Sequence, residues 1–186
     1  GKMQEEGMSK TKPQRNEMPI IDRGKEPFRI MNWYSAVQAA LTENQVDLMA
    51  GAGINLLKFM GYEPEHNKRA LAAASKYPWV EAFVWDPRGQ GYFENNKEKL
   101  IDELVKDYRM YPAFKGFVVR DEPPATEFNG LRNFFKYTRD NYPGIIAYVN
   151  ILPTYGFGSF TDFTDYLQKY IETNPPLVCY DHYPFP

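Results

Sequence analysis

From Phe28 onward, short runs of apolar and β-branched residues alternate with longer stretches whose apolar positions return every three or four residues. The runs FRIMNW (28–33), INLLKFM (54–60), WVEAFVW (79–85), GFVVR (116–120), IIAYVNI (145–151) and LVCYDHY (177–183) have the length and composition of buried strands. Between them, Leu100, Ile101, Leu104, Val105 and Tyr108 fall on one helix face. Phe163, Tyr166, Leu167, Tyr170 and Ile171 fall on another. Thr42-Glu43-Asn44-Gln45 has the capping-box pattern that opens a helix, with Gly51 or Gly53 to close it. Pro112, Pro143 and Pro175 each lie shortly before the next strand, where they stop a helix.

Near-continuous apolar strands separated by helices predict a parallel sheet with its outer face covered. The strands recur about every 30 residues, and eight such units make a chain of about 240, near the ~250 of a (β/α)8 barrel. The pattern therefore predicts an α/β fold of the (β/α)8 TIM-barrel type over residues 27–186, incomplete at six β/α units, with strands seven and eight absent. Such an arc has two apolar strand edges, so missing strands or a second chain are needed to close the barrel. A doubly wound open sheet is the competing architecture. In its dinucleotide-binding form it carries a glycine-rich turn after the first strand. Here that position reads NWYSAV, and Gly51-Ala52-Gly53 precedes a strand instead of following one. Residues 1–26 are polar and almost without periodicity, and read as a linker or a surface strap. Gly1 reads as the remnant of a removed tag, and no signal-peptide apolar stretch is present.

Composition narrows the function. The 186-residue chain is 43% hydrophobic and 25% charged, enough to bury a core. A net charge of −2 offers no basic field for nucleic acid, and no apolar run is long enough to span a membrane. Cys179 is the single cysteine, which excludes an internal disulfide and a cysteine-rich zinc site. Its apolar neighbours Leu177 and Val178 suit a buried, inert thiol. Aromatic residues reach 16%, with 14 tyrosines, a composition that suits a sugar-binding surface as well as a tyrosine-rich core.

In a parallel barrel the functional groups lie at the carboxyl ends of the strands. Those ends carry Asn32-Trp33-Tyr34, the span Lys58 to Tyr62, Trp85-Asp86-Pro87-Arg88, Arg120-Asp121-Glu122, Asn150 with Tyr155 beyond it, and Tyr180-Asp181-His182-Tyr183. Carboxylates and amides beside aromatic walls suit a sugar, whose hydroxyls take polar partners and whose ring face stacks on Trp or Tyr. Glu122, stiffened by Pro123-Pro124, is the candidate catalytic acid. Trp33, Trp85, Asp86, Asp121, Asn150, Tyr155, Tyr180, Asp181, His182 and Tyr183 are candidate substrate contacts. Each also has a plainer role: Asp121 as an ion-pair partner of Arg120 or Arg88, Trp33 and Trp85 as packing residues, His182 as a hydrogen-bonded wall residue.

With GFVVRDEPP, IIAYVNILPTYG and LVCYDHYPF in hand, the chain resembles the (β/α)8 glycoside hydrolases of the large retaining clan. More closely it is similar to a group of glycosidase-like barrel proteins from Bacteroidetes. The resemblance covers roughly residues 27–186 and rests on the tips of the fourth, fifth and sixth strands. It implies that Glu122 is the general acid/base and that the nucleophile belongs to a seventh strand. The clan's asparagine that binds the sugar 2-hydroxyl is here Asp121. It also implies a periplasmic, cell-surface or secreted protein acting on a glycan or polysaccharide, without a cofactor or metal. Two other readings stay open. One is a carbohydrate-binding barrel without catalysis. The other is a metal-dependent sugar isomerase or epimerase using Glu122, Asp181 and His182.

Overall fold

A computed structural model describes residues 28–95 and 98–180. Five strands form one all-parallel, curled sheet in the order β1-β2-β3-β4-β5: β1 (Leu56–Phe59), β2 (Glu81–Trp85), β3 (Phe114–Asp121), β4 (Ile146–Ile151) and β5 (Cys179–Tyr180). Among the described residues six α-helices accompany them: α1 (Glu43–Gly51), α2 (Pro64–Ala74), α3 (Pro87–Asn95), α4 (Glu98–Tyr108), α5 (Phe128–Asn141) and α6 (Phe160–Ile171). The expected six-unit (β/α)8 barrel is therefore corrected to a five-stranded half-barrel. The expected strap at residues 1–26 lies outside the described residues, as do Asp181, His182 and Tyr183.

The strand that fails to form is the first. FRIMNW runs parallel to β1 but makes only an isolated bridge, Met31 to Leu56. The Ile30 carbonyl still accepts from Leu56 N–H at 3.1 Å, but on either side of it side chains take backbone hydrogen-bonding positions. The Asn55 amide accepts from Ile30 N–H at 2.8 Å and donates to the Phe28 carbonyl at 2.9 Å. The Asn32 amide accepts from Lys58 N–H at 2.9 Å and donates to the Lys58 carbonyl at 3.0 Å. Ser35 Oγ accepts from Met60 N–H at 3.2 Å. A primary amide carries one acceptor and two donor hydrogens, so it can replace a peptide group in such a pairing. The segment is held firmly without becoming a strand.

Helix boundaries follow the local chemistry. Thr42 caps α1 by accepting from Gln45 N–H, as its capping pattern predicts, and Ser159 caps α6 by accepting from Asp162 N–H. Pro64 opens α2, where its missing N–H costs nothing. Ile101, Leu104, Val105 and Tyr108 are buried on α4, and Phe163, Tyr166 and Tyr170 on α6.

Strand alternation divides the core. Leu57, Phe59, Val84, Phe117, Val149 and Ile151 pack toward the helices, while Phe83, Val118 and Tyr148 pack on the opposite, inner face with Leu56, Trp85 and Cys179. No helix among the described residues is long and apolar enough to cross a membrane.

Candidate functional site

Two groups of side chains assemble at the carboxyl edge of the sheet. The first surrounds Lys58, which faces inward from β1 two residues after Leu56. Its ammonium lies 3.3 Å from the centroid of the Trp33 ring and 5.0 Å from that of Trp85, and the residue is 1% exposed. A desolvated cation between two indoles contributes up to about 2 kcal/mol of cation–π attraction. Asn32 sets this contact, because its amide locks onto both backbone groups of Lys58 and so delivers the adjacent Trp33. The Tyr62 ring joins at 6.3 Å from Trp85. Lys58 and Tyr62 lie at a strand tip in the sequence, yet neither residue type was distinctive enough there to single out.

The second group crosses three strands. Asp121, Asn150 and Cys179 are register neighbours on β3, β4 and β5. Asn150 is fully buried; its Nδ2 donates to Asp121 Oδ1 at 3.1 Å, and its Oδ1 accepts from Cys179 Sγ at 3.4 Å. A bulge aims this row. The register of β3 against β4 shifts between Val118 and Arg120, so that Arg120 pairs with Val149 and Asp121 with Asn150. Unbroken alternation from inner-facing Val118 would have turned Arg120 inward and Asp121 toward the helices. The extra residue reverses both.

Arg120 thereby becomes a strut. Its guanidinium makes a two-point contact with Glu127, Nε to Oε2 at 2.8 Å and Nη2 to Oε1 at 2.6 Å. That contact holds the Glu127 carboxyl below its usual range. Between these anchors sits Glu122, exposed, with φ of +47°. Its N–H donates to Asn150 O at 2.7 Å, and the next carbonyl, of buried Pro123, accepts from Tyr166 OH at 2.7 Å. The turn that carries the acid is pinned from the sheet, from α6 and from its own downstream end.

Left-handed backbone is costly for any side chain with a Cβ, and such strain concentrates at functional sites. Among the described residues, four non-glycine residues have positive φ: Gln38, Tyr62, Glu122 and Asn174. Glu122 directly follows β3, Tyr62 lies three residues past the end of β1, and Gln38 donates its N–H to Met60 O beyond β1. Three of the four thus mark the carboxyl edge.

The remaining candidates are placed elsewhere. Asp86 is 2% exposed; Arg88 contacts it through its backbone N–H, Nε and Nη2, and Tyr108 OH donates to it at 2.7 Å. Burial, then the neighbouring Asp86 charge, pushes the Tyr108 phenol far above its ordinary value. Tyr180, register partner of helix-facing Ile151, stands 6.2 Å from the Phe163 ring of α6. Tyr155 is 59% exposed on the turn Thr154–Gly156. Among the described residues, no three His, Cys, Asp or Glu side chains are grouped to hold a metal ion.

No protein-family model matches this chain, and no curated protein matches it in sequence.

Proposed function

We propose that the carboxyl edge of the sheet binds a carbohydrate and that Glu122 acts there as the general acid/base of a glycoside hydrolase. The observation that carries this reading is the backbone of Glu122: an exposed acid held at φ +47° after β3, with its own N–H and the following carbonyl both engaged. A solvated surface glutamate has no need of a strained, triply anchored turn. In the proposed reaction the protonated Glu122 carboxyl gives its proton to the glycosidic oxygen as that oxygen leaves the anomeric carbon, which a nucleophilic carboxylate, expected on a seventh strand, takes up as a glycosyl ester. The Glu122 carboxylate then takes a proton from the water that adds to the anomeric carbon and releases the nucleophile. Trp85 and Trp33 offer ring faces to the sugar, and Asp121, oriented by Asn150, accepts from a hydroxyl.

A second reading is favoured by the state of the two other candidate carboxylates among the described residues, Asp86 and Asp121. Double displacement needs a nucleophilic carboxylate about 5–5.5 Å from the acid. Asp86 is enclosed by Arg88 and Tyr108, and Asp121 is tied to Asn150. Those two are therefore poor nucleophiles, which supports carbohydrate binding without hydrolysis.

Hydrolysis of p-nitrophenyl glycosides and hexasaccharides by the wild-type chain and by Glu122→Gln tests both. Turnover that falls at least about 100-fold in the variant, with binding retained, supports the catalytic reading. Sugar binding by both proteins and turnover by neither supports the second. Absence of binding to every sugar rejects both.

A further inference from the structure

We propose that Tyr62 is a further carbohydrate-contact residue of this edge and that Asn67 is the residue that positions it. The proposal rests on the reading of the edge as a sugar site. Tyr62 occupies the centre of the three-residue turn Gly61-Tyr62-Glu63, one residue beyond the end of β1. Glu63 N–H donates to the Gly61 carbonyl at 2.7 Å, and Tyr62 has φ of +60°. This is the rare, strained form of the γ-turn. Glycine would occupy its centre at no steric cost. The chain has a tyrosine there, half-buried, with its ring 6.3 Å from that of Trp85 and tilted by 55°.

Below the turn lies Asn67, in the first turns of α2 and fully buried. Its Oδ1 accepts from Gly61 N–H at 3.1 Å, and its Nδ2 donates to the Trp85 carbonyl at 3.1 Å and to Tyr108 OH at 3.3 Å. One side-chain amide thus joins the backbone just before Tyr62 to the backbone of Trp85, and so sets the spacing of the two rings. The fit is close. A Cβ on Gly61 would lie 2.5 Å from Asn67 Oδ1, so this position has to be glycine for lack of space. His66 holds the other side of the turn, its Nδ1 at 3.2 Å from the Gly61 carbonyl. Together these contacts keep a bulky residue in a conformation it would not otherwise adopt, beside the indole already assigned to the sugar.

Tyr62→Gly separates this role from packing. It removes the ring and relieves the backbone, so stability and affinity move apart. The full chain is titrated with cellohexaose, xylohexaose, mannohexaose and p-nitrophenyl glycosides, and the melting temperature is measured on the same samples. Expected are a melting temperature equal to or above wild type and a loss of at least about five-fold in affinity for the best ligand. Wild-type affinity in Tyr62→Gly, or a melting temperature several degrees lower, overturns the assignment of Tyr62 alone. No binding by the wild-type chain instead rejects the sugar site and this proposal with it.

Asn67→Ala, or Asn67→Ser where the alanine variant does not fold, is then compared in the wild-type and Tyr62→Gly backgrounds. A positioning role predicts that its affinity loss shrinks in the second background while its effect on melting temperature stays the same. Equal affinity losses in both backgrounds overturn the positioning role.

Discussion

One of the three anchors of the turn that carries Glu122 is a phenolic oxygen, and Tyr166→Phe removes only that atom. The ring stays in place on α6, 5% exposed. Lost are its donation to Pro123 O at 2.7 Å and its acceptance from Leu152 N–H at 3.3 Å. A buried group left without its partner costs about 1–3 kcal/mol. Pro123 is buried and bears most of this. Leu152 is only half-buried and its bond is long, so the sum is about 2 kcal/mol. For a chain of this size that corresponds to a fall of about 4–8 °C in melting temperature. In urea unfolding the midpoint should drop with an unchanged slope.

The pH dependence supplies a second, independent check. Burial pushes the Tyr166 phenol up to about 12, the Leu152 amide opposes this, and the charges of Glu122 and Glu127 add to it. Unfolded tyrosine ionises near 10. Below that pH the stabilisation is fully present. Above it the unfolded chain releases a proton that the folded chain retains, so stability falls until the folded value is passed, by about 3 kcal/mol in all. The phenylalanine variant has no such group. Its deficit should therefore be full at pH 8 and close between pH 10 and 12. A deficit below about 0.5 kcal/mol, or one that does not change with pH, would refute the account of this hydroxyl.

Two further outcomes follow from contacts at β3. Gly116→Ala would bring a Cβ to 1.8 Å from the Ile146 carbonyl oxygen and 2.7 Å from its carbon, on the paired strand, where the backbone cannot swing aside. It should lower stability by at least about 3 kcal/mol in urea unfolding, and a near-native midpoint would show that the strands separate more easily than this packing implies. Because Arg120 holds the Glu127 carboxyl below its ordinary value, that pair stabilises the fold at neutral pH, and the contribution is lost as pH falls through the depressed value. Glu127→Gln should therefore cost about 1 kcal/mol at pH 7 and converge with wild type in acid; parallel acid-unfolding curves would count against the pair.

Five of the six apolar runs were legible because buried parallel strands need continuous hydrophobicity, which no other constraint at those positions disturbs. FRIMNW satisfies the same criterion and still forms no strand. The residues that divert it, Asn55 and Asn32, act through contacts 25 and 26 residues away along the chain. Periodicity cannot register such a substitution of side chain for backbone. The site divides in the same way. That Glu122 ends a strand could be read from GFVVRDEPP, but the bulge that turns Asp121 inward could not, since an extra residue leaves no mark on composition. Ion-pair choice was equally hidden. Arg120 and Arg88 were both plausible partners for Asp121, and the fold gives Arg120 to Glu127, Arg88 to Asp86 and Asp107, and Asp121 to Asn150. Tyr62 and Asn67 matter through a turn geometry and a buried amide, and neither announces itself in a sequence.

The neighbour-by-neighbour order of the sheet, β1-β2-β3-β4-β5, also bears on how the chain acquires its shape. Every strand docks on the one synthesised just before it, with one or two helices between them to cover the new face. No pairing among these five strands waits for a distant part of the sequence, so each step closes a loop of similar and modest length. Assembly can therefore keep pace with synthesis from the amino-terminal side, adding a layer as each unit leaves the ribosome. The last unit to dock brings Cys179 beside Asn150, which orients Asp121 and receives the N–H of Glu122. The three anchors of the Glu122 turn come from β4, from α6 and from Glu127, so the candidate acid is seated one step earlier, and β5 then fixes the Asn150 amide that orients Asp121.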